Sequence, residues 1–417
     1  MRAYLPMLLL FLASGASPQH ESEIRRPWNG CGSPELHNRA APSLGPAHLL
    51  RFDCLPLPPT PFTSSPPIIS PDGEQFLVHQ YARGLFVGSL DNDAIAHIFP
   101  FDPTFVQFGG ISFTGSTFLY QWASDSRFVW GAKQETGKGH FAAGPLTPVL
   151  LSPNGLEQSL PPLLARAGPL DGLIWIGGDG LALAKFGTNG SYYKPEHSDP
   201  DPMLAFVDFK RGKVLQRISL NNFPKAVSAF GHPMVPLTIA TVRLPDGRPR
   251  AVLQWPSGFS LVWTHGSRPR EITLPKLPFM TNIALAPGGR KLLISYPVQT
   301  VVAVCEDETP CPPPRIVTAK YAELVDIETG KTLWERTGTS NHFGSGLEPA
   351  ISPNGRYALA GIPEQNGHTI GLISMSDGRV LQTVPSIWSS WTYDFTDNRH
   401  FYVSGGSFVA SYEIGDR

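Results

Sequence analysis

EPAISPNGRYALAGIPEQNGHTIGLISMSDGRVLQTVP, residues 348–385, reads as four short strands and two tight turns. Ala350-Ile351-Ser352 enters a turn at Pro353-Asn354-Gly355, and residues 356–361 leave it. Residues 369–375 then run into Ser376-Asp377-Gly378, and residues 379–384 complete the unit. Proline presets φ, while Asn, Asp and Gly accept positive φ, so both tripeptides suit hairpins. Four apolar, turn-bounded strands within about 40 residues make one antiparallel blade of a β-propeller.

Working outward, the first of these turns has counterparts at Asp72-Gly73, Asp125-Ser126, Asp179-Gly180, Asp246-Gly247, Gly288-Gly289 and Asp397-Asn398. Each is followed by an apolar strand, such as RAVLQW or KLLISY, which predicts seven blades. The spacing agrees: Asp246 to Gly288 is 42 residues and Asn354 to Asp397 is 43. The longer gaps from Asp179 to Asp246 and from Gly288 to Asn354 predict insertions at residues 187–202 and 296–320. Long connectors around residues 99–117 and 132–148 absorb the extra length of the first blades. Second hairpin turns follow at Lys210-Arg211-Gly212-Lys213 and Glu328-Thr329-Gly330-Lys331, and Ser152-Pro153-Asn154-Gly155 is placed in the same role in blade two. Only about 20 residues follow Asp397, too few for a whole four-stranded blade. The orphan strand HLLRFDCL, residues 48–55, is the natural supplier of the missing outer strand. The expected fold is therefore all-β, a seven-bladed propeller of four-stranded antiparallel blades closed by an N-terminal strand, which removes exposed sheet edges.

These turn motifs resemble the superfamily of seven-bladed propellers with SPDG-type and D-x-x-TGK-type repeats, the YVTN and WD40-like exported propellers. LVDIETGKTLWE, residues 324–335, is also similar to one blade motif of quinoprotein dehydrogenases, although that family repeats its Trp-docking motif around a larger ring. The resemblance covers residues 48–417 and implies a fold, since the superfamily includes both scaffolds and enzymes.

The composition is compatible: of 417 residues, 41 are Gly and 43 Pro, natural for a chain of hairpins. A net charge of −1 with no Lys/Arg run gives no whole-molecule attraction to nucleic acid or anionic membranes. Residues 1–16 read as a signal peptide, with Arg2 as the positive region, LPMLLLFLA as the apolar core and Ser14-Gly15-Ala16 as the cleavage site. That apolar run is far shorter than the ~20 residues that span a bilayer. Residues 17–47 then form a Pro-rich arm ahead of the propeller. The mature chain is expected to be secreted or periplasmic, and monomeric. An even count of cysteines in an exported chain favours disulfides, and Cys31–Cys54 with Cys305–Cys311 is the pairing in which each bridge closes a local loop. Zinc is the alternative, without a CxxC or a nearby His to support it.

Function is expected where the loops are longest. In a meandering blade the hairpin turns share one face, whereas both insertions and all blade-to-blade connectors fall on the other. The connectors carry Phe105, Lys225, His232, Asn282, His342, Glu348, Trp388 and Trp391 toward the channel mouth. Aromatic, imidazole and carboxylate groups there could bind a small ligand or a peptide loop, or the tryptophans could pack between blades. His197-Ser198-Asp199-Pro200-Asp201 lacks the pattern of a calcium loop, so no metal and no cofactor is expected. No GxSxG, HExxH, P-loop or GxGxxG motif occurs. The reading is an exported, non-enzymatic propeller that binds a protein partner or ligand through its loop-rich face. The alternative is a propeller hydrolase or lactonase-like enzyme with its site at the channel mouth. A subunit of a cell-envelope assembly is a third possibility.

Overall fold

The structure is a computed structural model. It describes residues 43–415 apart from 56–66, 81–83, 93–94, 101–119, 137–142, 156, 159, 162–169, 187–200, 224–237, 256, 276, 279–280, 298–316, 341–347, 365–366, 385–390 and 406–407. Twenty-eight strands form seven four-stranded antiparallel sheets. Blade one is β2 (Ile68–Ile69), β3 (Gln75–Gln80), β4 (Gly84–Ser89) and β5 (Ile95–Pro100), with β1 (Ala47–Cys54) preceding it in the chain. Blade two is β6 (Gln121–Trp122), β7 (Val129–Thr136), β8 (Ala143–Leu151) and β9 (Glu157–Gln158). Blade three is β10 (Leu170–Trp175), β11 (Leu181–Phe186), β12 (Met203–Asp208) and β13 (Lys213–Ser219). Blade four is β14 (Thr238–Arg243), β15 (Pro249–Gln254), β16 (Ser260–Thr264) and β17 (Arg270–Glu271). Blade five is β18 (Asn282–Leu285), β19 (Lys291–Ser295), β20 (Val317–Asp326) and β21 (Lys331–Ser340). Blade six is β22 (Ala350–Ile351), β23 (Tyr357–Glu364), β24 (Gly367–Ser374) and β25 (Val380–Val384). Blade seven is β26 (Trp391–Phe395), β27 (His400–Gly405) and β28 (Phe408–Ile414), with β1 as its outer strand. The chain is a seven-bladed β-propeller, and its first and last described strands meet in one blade.

The turns explain why the repeat forms. In blade six the Asn354 side chain accepts from the Arg356 amide at 3.0 Å, while Ser352 Oγ donates to Asn354 at 2.9 Å. Gly355 sits at φ 69°, a conformation that costs glycine nothing. Asp72, Asp246, Asp377 and Asp397 each accept from an amide two residues on in the same way. Blade two departs from the pattern, because Ser126 stands at φ 57° where blades one and three to six use glycine. Its hydroxyl accepts from the Asp72 amide at 3.1 Å, which ties this turn to blade one. As expected, residues 152–155 join β8 to β9. The stretch 132–148 proves to be mostly strand rather than connector, since β7 and β8 extend to Thr136 and from Ala143.

The core lies between blades. Seven buried apolar clusters occupy the seven interfaces, and each draws on two neighbouring blades. Phe206 of blade three stacks on Trp263 of blade four with centroids 4.1 Å apart. Indole N–H groups add directional links: Trp122 donates to the Ile68 carbonyl, Trp130 to Gly178 and Trp334 to Met375, each in the adjoining blade. Burying such rings removes large apolar areas from water and fixes blade spacing.

Ring closure extends further back than the strand read from the sequence. Ser43, the first described residue, donates its amide to the Thr383 carbonyl of blade six at 3.0 Å. Gln382, 3% exposed, donates to the carbonyls of Ser43 (2.6 Å) and Ala47 (2.8 Å) and accepts from the Ala47 amide (2.6 Å). β1 then pairs with β28 along its length, Ala47 opposite Ile414 and Cys54 opposite Phe408. Arg51 reaches Asp91 of blade one at 2.6 Å, and Leu55 enters the cluster between blades seven and one. One segment therefore touches three consecutive blades. Cys54 is disulfide-bonded, whereas Cys31, Cys305 and Cys311 lie outside the described residues.

Candidate functional site

Antiparallel meandering places the ends of every second strand and the starts of every innermost strand on one face, here the loop face. The hairpins counted above occupy the opposite, turn face. Residues 101–119, 187–200, 224–237, 298–316 and 341–347 all join strand ends at the loop face. The turn-face hairpins are uniformly short. Among the sequence-derived candidates, Asn282 is the first residue of β18, Glu348 precedes β22 by two residues, and Trp391 opens β26. These are successive innermost strands of blades five, six and seven, so the three positions follow one another around the channel mouth. Asn282 and Trp391 belong to strands rather than to the connectors expected to carry them. Phe105, Lys225, His232, His342 and Trp388 lie outside the described residues, as do His197 and Asp199, whereas Asp201 is described, exposed, and accepts from the Ser219 hydroxyl and from Asn221 Nδ2.

Glu348 is exposed, and its charge reaches the buried hydroxyl of Tyr393 in the next blade. Burial, reinforced by Glu348, holds that phenol well above its ordinary range. Three other polar atoms at this level have no hydrogen-bond partner among the described residues: Tyr120 Oη, Gln121 Oε1 and Thr281 Oγ1. Tyr120 and Thr281 stand immediately before β6 and β18, again where innermost strands begin. Buried groups of this kind are those that a bound water or ligand satisfies. They escaped sequence reading because a single Tyr or Thr at a strand entrance has no motif.

Deeper in the ring, the penultimate positions of the innermost strands are Ile68, Gln121, Ile174, Val242, Ala284, Ala350 and Asp394. Asp394 alone among them is ionisable. Water reaches its side chain, yet protein encloses it at longer range, as expected of a channel wall. Desolvation pushes its carboxyl up to about 6, against the opposing pull of the Phe395 amide at 2.7 Å. A folded pKa above the unfolded value means the native state binds the extra proton, so stability falls as pH rises from about 4 to 6. Asp394→Asn is expected to raise Tm near neutral pH and to leave it nearly unchanged near pH 4, read by thermal unfolding across that range. An equal gain at both pH values would contradict this placement.

The base of the second insertion carries a denser network. Glu323 on β20 is 1% exposed. It accepts from Tyr296 Oη at 2.6 Å, from Lys320 Nζ at 3.0 Å and from Thr332 Oγ1. Lys320 also pairs with Glu335 at 2.9 Å. Burial alone would raise the Glu323 carboxyl, but the three donors and the Lys320 charge outweigh it and hold the group below its ordinary range. Tyr296 and Lys320 flank residues 298–316, so both described ends of that stretch are fastened to one carboxylate. No group of metal-ligating side chains occurs among the described residues, and no described helix is long and apolar enough to cross a membrane.

No protein-family model matches the chain, and no curated protein does. Among solved structures, it is similar to a chain of the "Crystal Structure of Mitotic Checkpoint Complex", at 10% identity and a TM-score of 0.49, covering 100% of both chains. The propeller assignment rests on the seven sheets themselves.

Proposed function

We propose that the chain is an exported, non-enzymatic propeller that binds a protein partner or ligand through its loop face. The observation that carries this is the asymmetry between the faces. The turn face is built of short hairpins braced to their neighbours, whereas every long connector joins strand ends at the other face. A rigid scaffold with long loops on one side is how binding surfaces are commonly built. Export follows from the signal peptide read in residues 1–16, and the disulfide pairing proposed for Cys31, Cys54, Cys305 and Cys311 suits that compartment. The stretch 298–316 is the proposed recognition element, because the buried Glu323 network steadies its base.

The test is capture. The chain from residue 17, immobilised, is exposed to the exported proteins of its source, beside a variant lacking residues 306–310. A protein held by the intact chain and released by the deletion, with Tm unchanged, is the expected result. Retention of only a small molecule or metal, indifferent to the deletion, would overturn the scaffold reading. It would favour the alternative of an enzyme at the channel mouth, where Asp394, its carboxyl raised by desolvation, is one described group suited to carry a proton.

A further inference from the structure

The turn face is uniform in shape but not in charge. The described hairpins of blades three to five, residues 175–181, 208–213, 243–250, 264–271, 285–291 and 326–331, carry eleven Lys and Arg against six Asp and Glu. The corresponding hairpins of blades one and two carry six acids and one Arg. A chain of net charge −1 thus concentrates positive charge in three consecutive blades of one face.

Much of this charge is used internally. Arg211 pairs with Asp208, Arg243 with Asp179, Arg248 with Asp246 and Arg290 with Asp326. Arg250 and Arg270 share Glu328 across the interface between blades four and five. Five cations remain that make no ion pair among the described residues: Lys210, Lys213, Arg268, Lys291 and Lys331. All five are exposed. Their turns are locked together, since Gln216 of β13 donates to the Ser267 carbonyl at 2.7 Å and accepts from the Gly266 amide at 2.8 Å. The Arg270–Glu328 pair, 2.5 Å, fastens the next two turns. The backbone that carries the free cations is therefore held in a fixed arc, so binding has to order their side chains but not their turns, which lowers the entropic cost of association.

We propose that this arc is a second docking surface, for an acidic segment of a protein partner, distinct from the loop face. A lipid surface fits less well. Asp246, Glu271 and Glu328 are interleaved with the cations, and the exposed large hydrophobic side chains among the described residues are Leu44, Leu50 and Leu333, none of them in these hairpins. Interspersed charge suits a protein surface of complementary pattern, where it sets specificity and association rate.

The experiment uses the chain from residue 17 and a fluorescent oligo-glutamate peptide, with anionic phospholipid vesicles in a parallel arm. The expected result is saturable peptide binding that weakens with salt. It should weaken at least tenfold further in the triple variant Lys210→Glu, Lys213→Glu, Arg268→Glu. Arg127→Glu, on the acidic side of the face, should leave it unchanged. None of these side chains is buried, so an unaltered Tm accompanies the loss. Peptide binding indifferent to the triple variant, no peptide binding, or binding to vesicles alone would each overturn the proposal. Deleting residues 306–310 leaves this binding intact, so its failure is separable from failure of the loop-face reading.

Discussion

A chain lacking residues 43–54 is expected to lose cooperative folding and to aggregate. The deletion removes the outer strand of blade seven, the Ser43–Gln382 anchorage on blade six and the Arg51–Asp91 tie to blade one. It exposes the paired edge of β28 and the faces covered by Ala47, Leu49 and Phe52, the last stacked on Phe408 at 5.5 Å. Each large apolar side chain returned to water costs roughly 1.5–3 kcal/mol, so a few of them approach the 5–15 kcal/mol that stabilises a typical domain. An unpaired β28 is also a template for intermolecular pairing. A milder variant keeps the claim open to refutation if the deletion cannot be purified. Gln382→Ala leaves the two buried backbone groups of Ala47 and the part-buried Ser43 carbonyl short of a partner, a loss of about 2–4 kcal/mol by the usual price of unmet hydrogen bonds. Urea unfolding of that variant at an unchanged midpoint would show that the N-terminal segment is not what closes the ring.

Removal of the Glu323 carboxylate has the second largest expected effect. Glu323→Ala strips the acceptor from Tyr296, Lys320 and Thr332 inside blade five, for a loss on the order of 3 kcal/mol. The same group predicts a pH dependence. Its folded pKa lies below the unfolded value, so across that interval the unfolded chain binds more protons than the native one. Stability from Glu323 is therefore fully present above the ordinary carboxylate value of 4.5 and is lost as pH falls below it. Stability curves of the parent and of Glu323→Gln should converge as the medium is acidified and separate toward neutral pH. Parallel curves would mean that the carboxylate charge contributes nothing. Because Tyr296 and Lys320 flank residues 298–316, faster protease cleavage within that stretch should accompany the loss.

The blades were legible because their turns are local chemistry: Pro-Asn-Gly and Ser-Pro-Asp-Gly announce a hairpin from four residues alone. Even the closing strand could be inferred, since too few residues follow Asp397 to finish a blade. The Gln382 anchorage could not, as it joins residues more than 300 apart in the chain and a glutamine in a strand has no signature. Glu323 was hidden in the same way. In YAELVDIETGKTLWE it reads as an ordinary polar position of an alternating strand, and only the neighbours supplied by β19 and β21 make it a buried acceptor. The free cations of the basic arc come one or two at a time from four separate hairpins, so no run of Lys or Arg announces it. Asp394 within WTYDF likewise becomes unusual only when six other strands surround it.

The loop-face reading is tested most directly by hydrogen exchange on the complex between the chain and the protein it captures. Slowed exchange is predicted at the described strand ends of the loop face, around Asn282, Ser295 to Tyr296, residues 317–320 and Glu348. Hairpins such as residues 353–356 and 377–379 should exchange as they do in the free chain. Protection confined to the hairpins, with the loop-face strand ends unchanged, would contradict the account.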